Sequence, residues 1–328
     1  MRSAQVTGVR QGGVTTVADP SIAENFVKVR IEVAPLCTEY KAYKEGQRSN
    51  HLGHEAAGEV VEVAQPGRVK PGDRVVVMPG RPCGSCDACL TGNYIHCTED
   101  RDPRRICGTT TGMATLAEYV IVQDWMAIRI PDDLSYEHAS MACCGLGPTF
   151  GATRHMGVNT KDTVLITGMG PVGLGGIVNA TYLGARVIAV DSHPYRKALA
   201  TDLGAAHVVD PTGPDAAEQI LALTDGRGAD YSIDCSGVAA AQRLVIDCTR
   251  RLGTVSFVGE AADLTIHVSN DMIRKGLNLH GAWHWNRTDE TEMMNMIRAV
   301  GAKLDRHVTH TFALDEITDA WELQLTGN

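Results

Sequence analysis

The sequence predicts an α/β protein of two domains, with a barrel-like antiparallel β domain over 1–145 and a doubly wound parallel domain over 146–285. Two observations lead to this prediction. The chain has 328 residues, which is too long for one ordinary core and suits two domains. Near residue 146 the pattern changes from short alternating segments, rich in turns, to strands that alternate with helices. The remaining segment, 286–328, is predicted to return to the first domain.

The first domain is predicted from β segments in which apolar and polar residues alternate, with Gly and Pro between them. These segments are "FVKVRIEV", "GEVVEVAQPG", "GDRVVVMPG" and "LAEYVIVQ". A polar, cysteine-rich loop interrupts the pattern over 83–107.

The second domain is predicted from strands with helical segments between them. The strands are "DTVLITG", "RVIAVD", "HVVD", "DYSIDCSG", "TVSFVG" and "LNLHGAW". The helices are "PVGLGGIVNATYLGA", "PYRKALATDLGA" and the stretches around 213–226 and 238–252. This alternation predicts a six-stranded parallel sheet. Beyond it we predict one helix, "ETEMMNMIRAVGAKL", an extended piece, "HVTHTF", and a last helix, "LDEITDAWELQL".

Composition and charge exclude several classes of protein. With 44% hydrophobic and 21% charged residues, the chain is typical of globular proteins. The net charge of −9 argues against a nucleic-acid partner, which requires a clustered basic face. The first residues lack a signal-peptide core, and no window approaches about 18 consecutive apolar residues, so we expect a cytoplasmic protein without a membrane span. Clustered cysteines in such a chain are more typical of metal ligands than of disulfides.

The glycine-rich loop "TGMGPVGLGG" indicates a dinucleotide site. Gly168, Gly170 and Gly173 have the G-x-G-x-x-G spacing between a predicted strand and a predicted helix. They permit a tight turn, close approach of a pyrophosphate and close packing of helix on strand. The helix that opens at Pro171 and Val172 offers its N-terminal N–H groups and its dipole to the phosphates.

The next strand ends in Asp191, 23 residues after Gly168. Its carboxylate can accept hydrogen bonds from the ribose hydroxyls and would repel a 2′-phosphate, so NAD is favoured over NADP. No arginine follows directly. Arg196, one helical turn further on, either reaches the ribose or lies on a solvated helix face.

The run "CGSCDACLTGNYIHC" places four cysteines close together in the chain. The four are Cys83, Cys86, Cys89 and Cys97. Their two-residue gaps let thiolates converge on one tetrahedral centre, and four sulfurs close the coordination shell, so the run predicts structural zinc. An iron–sulfur cluster is the chemical competitor, and four unligated thiols are the alternative without a metal. His96 beside Cys97 is interpreted as an ordinary loop residue.

In the early stretch "CTEYKAYKEGQRSNHLGHEAAGE", Cys37 precedes His54 and Glu55, which lie between Gly53 and Gly58. Taken singly, Cys37 and His54 would more often be buried core residues. Together they could hold a metal, with the glycines allowing the backbone to bend around it.

The combination of motifs resembles the zinc-containing medium-chain dehydrogenase/reductase family, which includes alcohol, sorbitol and threonine dehydrogenases. The resemblance rests on Cys37, "GHEAAGEVVEV", "VKPGDRVVV", the four-cysteine run, "GMGPVGLGG" and Asp191, and it covers nearly the whole chain. It implies a GroES-like β-barrel catalytic domain, a Rossmann domain and a catalytic zinc in the cleft between them. It also implies a homo-oligomer, either a dimer or a tetramer.

The resemblance further implies the ligands of the catalytic zinc. They are Cys37, His54 and, from "MACCGLGPTFGA", Cys144. The neighbouring Cys143 could be mistaken for this third ligand. Glu55 would be a supporting residue or an alternating fourth ligand. One imidazole and two thiolates give a neutral zinc site with one open position, as catalytic zinc requires. Zinc there would lower the pKa of a substrate alcohol, which then gives its hydride to the nicotinamide.

The sequence departs from the family pattern after Cys37. The family usually reads Cys-x-Ser/Thr-Asp, and here Thr38, Glu39 and Tyr40 follow the cysteine. The aspartate that supports the metal-bound histidine is thus replaced by Tyr40. For the alcohol proton, Glu39 and Thr38 are the candidates, ahead of Tyr43. Either Glu39 contacts a substrate hydroxyl or relays the proton, or it forms a surface ion pair with nearby lysines, Lys41 or Lys44.

The segment "LHGAWHWN" is expected to line the nicotinamide and substrate. Ala282 and His284, with Val258, would place backbone groups near the carboxamide. Trp283 and Trp285 would either wall the pocket or serve as plain interface aromatics.

Polar residues near Cys37, including Tyr40 and Tyr43, favour a secondary hydroxyl on a polyol, sugar, cyclitol or amino-cyclitol as the substrate. Two other interpretations stay open at this point. One is a carbonyl reductase that uses the same site in reverse. The other is a non-catalytic zinc protein that only senses NAD.

Overall fold

The structure is a computed structural model that describes residues 1–261 and 263–327. The chain divides into two compact units. Unit 1 holds Met1–Cys143, Asn286–Arg298 and the chain from Val308 onward, and unit 2 holds Cys144–Trp285 and Ala299–His307. The domain boundaries given above stay a prediction. Among the described residues, no helix combines the length and apolar character that crossing a membrane requires.

The strands of the described residues are β1 (Arg2–Gly8), β2 (Gln11–Thr16), β3 (Phe26–Val33), β4 (Ala56–Val63), β5 (Arg74–Val77), β6 (Tyr119–Gln123), β7 (Ala127–Arg129), β8 (Thr163–Thr167), β9 (Arg186–Val190), β10 (His207–Val209), β11 (Ala229–Asp234), β12 (Thr249–Phe257) and β13 (Asn278–Gly281). The α-helices are α1 (Glu39–Glu45), α2 (Asp87–Leu90), α3 (Pro103–Ile106), α4 (Tyr136–Ser140), α5 (Gly147–Met156), α6 (Pro171–Tyr182), α7 (Pro194–Leu203), α8 (Ala216–Ala222), α9 (Ala239–Cys248), α10 (Glu290–Ala299), α11 (Gly301–His307) and α12 (Ile317–Thr326).

Unit 1 is built on an antiparallel sheet with strand order β6-β3-β4-β5-β7, beside a β1-β2 hairpin. Burial alternates only in parts of β3 and β4, whereas β5 and β6 bury consecutive residues, so both faces of these two strands are covered. Val29 of β3 pairs with Val60 of β4 on one side and with Val120 of β6 on the other, and all three are buried. The predicted cysteine-rich loop, 83–107, contains the short helices α2 and α3.

Unit 2 confirms the predicted six-stranded parallel sheet, with strand order β10-β9-β8-β11-β12-β13. Strand β8 is buried at every position, as expected when helices cover both faces of a sheet. The direction of strand order reverses between β8 and β11. Open sheets of this kind bind ligands outside the carboxyl ends of the strands at such a reversal.

Two predicted helices were wrong in their extent. The segment 290–304, predicted as one helix, is two helices, α10 and α11, that end and begin on either side of Val300. Gly301 opens the second, and glycine weakens a helix interior because it has the most backbone freedom to lose. The helix predicted around 238–252 stops before Thr249, which begins β12. The hydroxyl oxygen of Thr249 lies 2.6 Å from that of Ser232 on the neighbouring strand β11, and the two form a hydrogen bond.

Candidate active site

The structure brings together the side chains that the resemblance implied as zinc ligands. One ligand atom from each of Cys37, His54, Glu55 and Cys144 lies within 4.8 Å of the others. Cys37 precedes α1, and His54 and Glu55 precede β4. Cys144 directly follows Cys143, the last residue of the first segment of unit 1. Zinc binds Cys and His at about 2.0–2.3 Å, so tetrahedral ligand atoms lie roughly 3–4 Å apart, and this set of donors fits zinc.

Gly53, which precedes His54, must be a glycine because two loops approach each other closely at this position. Gly53 has a φ of +90°, and a Cβ there would lie 2.5 Å from the hydroxyl oxygen of Thr115. The Leu116 N–H donates to the Leu52 carbonyl at 2.9 Å, and the Thr115 hydroxyl accepts the N–H of Glu55 at 3.0 Å. Thr115 therefore helps to fix the loop that carries His54 and Glu55. Sequence reasoning missed it, because nothing in its local sequence signals the contact.

Glu39 is buried beside this group rather than exposed beside the lysines of α1. One carboxylate oxygen accepts the main-chain N–H of Cys37 at 3.0 Å, and the other lies 2.8 Å from Nδ1 of His54. The predicted alternative of an ion pair with Lys41 or Lys44 was therefore wrong. Burial raises the pKa of the Glu39 carboxyl, but the hydrogen bond from His54 and its charge outweigh this and leave the pKa below its usual value.

The His54 ring lies between these acidic groups. Its Nε2 is 3.7 Å from a carboxylate oxygen of Glu55, which is buried. Hydrogen bonds to Cys37 and Glu39 raise the pKa of His54 to about 11. The surroundings of the ring thus favour a positive charge at Nε2, whether a proton or a metal ion supplies it.

The two adjacent cysteines have different environments. The Cys143 thiol is fully buried and donates to the carbonyl of Val77 at 3.4 Å. Burial raises its pKa well above the usual value, so it stays a neutral thiol. Cys144 instead joins the group of possible ligands, and it is half-buried.

The second cysteine group is also assembled. Its members are Cys83, Cys86, Cys89 and Cys97. The sulfur of Cys86 lies 3.6 Å from that of Cys89 and 3.7 Å from that of Cys97. Main-chain N–H groups of Ser85 and Cys86, with the Ser85 hydroxyl, donate to the Cys83 sulfur and lower its pKa to about 6. A thiolate is the form that binds zinc. Burial has the opposite effect on Cys89 and raises its pKa to about 12. Four sulfurs around one zinc would leave no position for a substrate.

The glycine loop lies between β8 and α6, at the carboxyl end of the parallel sheet. A Cβ on Gly173 would lie 1.9 Å from the carbonyl oxygen of Gly168, so only glycine allows this contact of helix and turn. A Cβ on Gly170 would meet nothing within 4 Å. Gly170 therefore faces open space where a phosphate can approach the backbone. Pro171 and Val172 form the first turn of α6, as predicted.

Asp191 follows β9, and each of its carboxylate oxygens accepts a main-chain N–H, one from the glycine loop and one from the loop that leads to α7. One accepts the N–H of Met169 at 2.7 Å and the other accepts the N–H of His193 at 2.7 Å. Each oxygen has a further lone pair that can accept from a ribose hydroxyl. Arg196 lies in the first turn of α7 and is half-buried.

A further acidic residue of this edge, Asp234 at the end of β11, was missed. Its buried carboxylate accepts from the Thr167 hydroxyl at 2.7 Å, the Ser236 hydroxyl at 2.6 Å and the Gln242 amide at 3.2 Å. Its carbonyl accepts the N–H of Val258 at 2.9 Å. Asp234 thus ties together the loops that follow three neighbouring strands. An aspartate at the end of a buried strand, as in "DYSIDCSG", was the available signal.

The residues predicted beside the nicotinamide lie at the same sheet edge. Val258 follows β12, and its N–H is already engaged by Asp234. The N–H of Ala282 donates to the carbonyl of Phe257 at 2.9 Å. His284 is half-buried two residues further on. The N–H groups of Val258 and Ala282 are therefore used within the protein.

The tyrosines predicted beside the metal point to other partners. The Tyr43 hydroxyl donates to Glu322 of α12 at 2.9 Å, and its ring packs 5.0 Å from that of Trp321. Tyr40 packs against the same apolar cluster. The prediction that Tyr43 takes a proton or contacts substrate is therefore wrong, because its hydroxyl donates to Glu322 of α12.

The two tryptophans of "GAWHWN" differ in exposure. Trp285 is 2% exposed and meets Phe150 edge-on at 6.1 Å, so it is an interior aromatic residue. Trp283 is 58% exposed. Of the pair, Trp283 alone is accessible enough to contact a ligand.

Two family models match the chain: the alcohol dehydrogenase GroES-like domain over residues 23–132 and the zinc-binding dehydrogenase domain over residues 171–299. An Escherichia coli K12 protein described as the uncharacterized zinc-type alcohol dehydrogenase-like protein YphC is 32% identical over 283 residues, which are 84% of this chain and 78% of the relative. The sorbitol dehydrogenase of Bacillus subtilis 168 is 29% identical over 341 residues, which are 99% of this chain and 94% of the relative. The structure of alcohol dehydrogenase TADH from Thermus sp. ATN1 has a TM-score of 0.89 at 24% identity, over 100% of this chain and 97% of that one. These similarities confirm the predicted fold class, including its GroES-like part.

Proposed function

Because the chain belongs to the zinc-containing medium-chain dehydrogenase/reductase family, we propose that it is a zinc-dependent, NAD-linked dehydrogenase of polar secondary alcohols. The reaction transfers a hydride between the alcohol carbon and NAD. The substrate is a polyol, sugar, cyclitol or amino-cyclitol.

The proposal rests mainly on four side chains whose ligand atoms lie within 4.8 Å of one another, those of Cys37, His54, Glu55 and Cys144. The two thiolates and the imidazole would hold zinc as a neutral unit with one position left for the substrate oxygen. When bound, zinc supplies a Lewis acid that lowers the pKa of the substrate hydroxyl. The buried carboxylate of Glu55 adds negative charge beside His54, which strengthens the hold on a cation.

Other side chains bind the dinucleotide and handle the proton. The open face of Gly170 and the first turn of α6 support a pyrophosphate there. Asp191 accepts the ribose hydroxyls and disfavours a 2′-phosphate, which supports NAD as the cofactor. Thr38 is exposed and its side chain makes no capping hydrogen bond, so its hydroxyl is available to pass the alcohol proton to water.

The substrate class is supported by the relative named sorbitol dehydrogenase. Tyr43 gives no support to it, because its hydroxyl is bonded to Glu322. A second zinc in the group of four cysteines is part of the proposal, and so is a homo-oligomeric state. A zinc there would support the fold without touching substrate.

The test compares two adjacent cysteines. Cys144→Ser removes a proposed ligand, and Cys143→Ser makes the same change in a buried thiol bonded to Val77. Purified proteins are analysed for zinc and screened with polyols, sugars, cyclitols and amino alcohols while NADH absorbance is followed. We expect two zincs and activity in the unaltered protein and in Cys143→Ser, and one zinc and no activity in Cys144→Ser.

Two outcomes would contradict the proposal. The first is a full zinc content and unchanged turnover in Cys144→Ser. The second is an unaltered protein that binds two zincs and NAD yet oxidises no alcohol of the panel and reduces no matching ketone. The second outcome would favour a protein that senses NAD without catalysis.

A further inference from the structure

Glu39 connects two parts of the proposed metal group that are distant in the chain. Its side chain is 7% exposed at the first turn of α1. One oxygen accepts the Cys37 N–H at 3.0 Å and the other lies 2.8 Å from His54 Nδ1. A single carboxylate thus joins the loop before α1 to the loop before β4, and both loops supply a proposed metal ligand.

This contact decides which nitrogen of His54 can bind a metal. An ionised carboxylate only accepts hydrogen bonds, so Nδ1 must carry the hydrogen that faces Glu39. The lone pair of the neutral ring then lies on Nε2, and Nε2 is the nitrogen that lies 3.7 Å from Glu55 within the metal group. A carboxylate behind a metal-binding histidine fixes the orientation of the ring and raises its basicity.

Hydrogen bonds fix the main chain of Cys37 at its N–H and at its carbonyl. Glu39 accepts its N–H, and the side-chain amide of Gln324 in α12 donates to its carbonyl at 3.3 Å. The carbonyl can only accept, so the amide nitrogen of Gln324 must be the atom that faces it. The position of the Cys37 sulfur therefore depends on two side chains outside the metal group.

We propose that Glu39 is a positioning residue that orients His54 and Cys37 for the metal and does not take the proton of the alcohol. Each of its oxygens faces a hydrogen-bond donor within the protein and the side chain is 7% exposed, so water has little access to the carboxylate. The inference rests on the proposed function, since it assumes that zinc binds this group. In this chain the carboxylate that supports the histidine is residue 39, whereas Tyr40 packs on the apolar cluster around Trp321.

The test measures zinc affinity directly. Metal-depleted protein competes with a chromogenic chelator for zinc, in the unaltered chain and in Glu39→Ala, Glu39→Gln and Glu45→Gln. Glu45 is the matched control because it ends the same helix, is exposed and accepts a hydrogen bond from the side-chain amide of Gln47 at 2.7 Å. Glu39→Ala should weaken one of the two zinc sites by about 10- to 100-fold. Glu39→Gln, which keeps one acceptor oxygen and nearly the same shape, should give an intermediate loss, and Glu45→Gln should give none.

Two further readouts separate positioning from proton transfer. Cobalt bound in place of zinc should show a shifted visible absorption band in Glu39→Gln, since the ligand geometry changes. If zinc affinity and the cobalt band are unchanged while the pH profile of turnover moves, Glu39 transfers protons and the inference is overturned. An unaltered protein that binds two zincs without hydride transfer would contradict the proposed function instead, and Glu39 would still be tested by metal affinity.

Discussion

Acid should destabilise the protein through one histidine, His307, at the end of α11. Its side chain is buried, and neither ring nitrogen has a hydrogen-bond partner among the residues described. Burial lowers the pKa of His307 from 6.5 to about 4, because the charged form loses its hydration. Between these two values the unfolded chain binds a proton that the folded protein does not.

The size of the effect follows from this shift. Each pKa unit corresponds to about 1.4 kcal/mol, so the full shift is worth roughly 3 kcal/mol. Because the folded pKa is depressed, the contribution to stability is present above pH 6.5 and is lost as the pH falls toward 4. At about pH 5, some 2 kcal/mol should already be lost.

The assay is urea unfolding at about pH 7.5 and about pH 5, on the unaltered protein, His307→Leu and His310→Leu. His310 is exposed on the segment that follows α11, so its replacement controls for the loss of one histidine. The unaltered protein and His310→Leu should lose about 2 kcal/mol more than His307→Leu between the two pH values. Any effect of acid on the metal groups is common to all three proteins. An equal loss in His307→Leu would refute the reasoning.

Three other substitutions test the site. Gly53→Ala places a Cβ 2.5 Å from the Thr115 hydroxyl oxygen in a backbone with a φ of +90°. We therefore expect about 1–3 kcal/mol of destabilisation and the loss of one zinc, and an unchanged Tm and zinc content would contradict this. Cys86→Ser should remove the zinc of the four-cysteine group and lower Tm while the remaining zinc stays with the Cys37 group, and retention of two zincs would count against it. Asp191→Ala should raise KM for NAD by about 10- to 100-fold with a smaller effect on NADP, and an unchanged ratio of the two would exclude the predicted role.

The fold was largely predictable because its signals are local. Each of the six strands of unit 2 overlaps a predicted strand, although β12 begins at Thr249, within the segment predicted as a helix. The break between α10 and α11 was not predictable, because the helical pattern continues through Val300 and a glycine in a helix costs only about 1 kcal/mol.

The partners of the site residues were predicted less well, since they depend on long-range contacts. Cys37 and His54 were predicted as zinc ligands from the resemblance to the family. The contacts of Glu39 with His54 and of Tyr43 with Glu322 depend on how α1 is oriented, and Glu322 is 279 residues away from Tyr43 in the chain. An acidic residue and a tyrosine near a metal ligand have many possible roles, and only the direction of each side chain selects among them.

The orientation of α1 links the metal group to the closing helix of unit 1. From one side of α1, Glu39 reaches the Cys37 N–H and His54, and from another Tyr43 reaches Trp321 and α12. The contact of Gln324 with the Cys37 carbonyl brings α12 to the same loop. A rotation of α1 would therefore displace Cys37, a proposed ligand. It would at the same time move the Glu39 carboxylate away from His54, another proposed ligand. Substitutions in α12 that leave every proposed ligand unchanged should for this reason still weaken zinc binding. The apolar cluster around Trp321 would then contribute to the metal affinity.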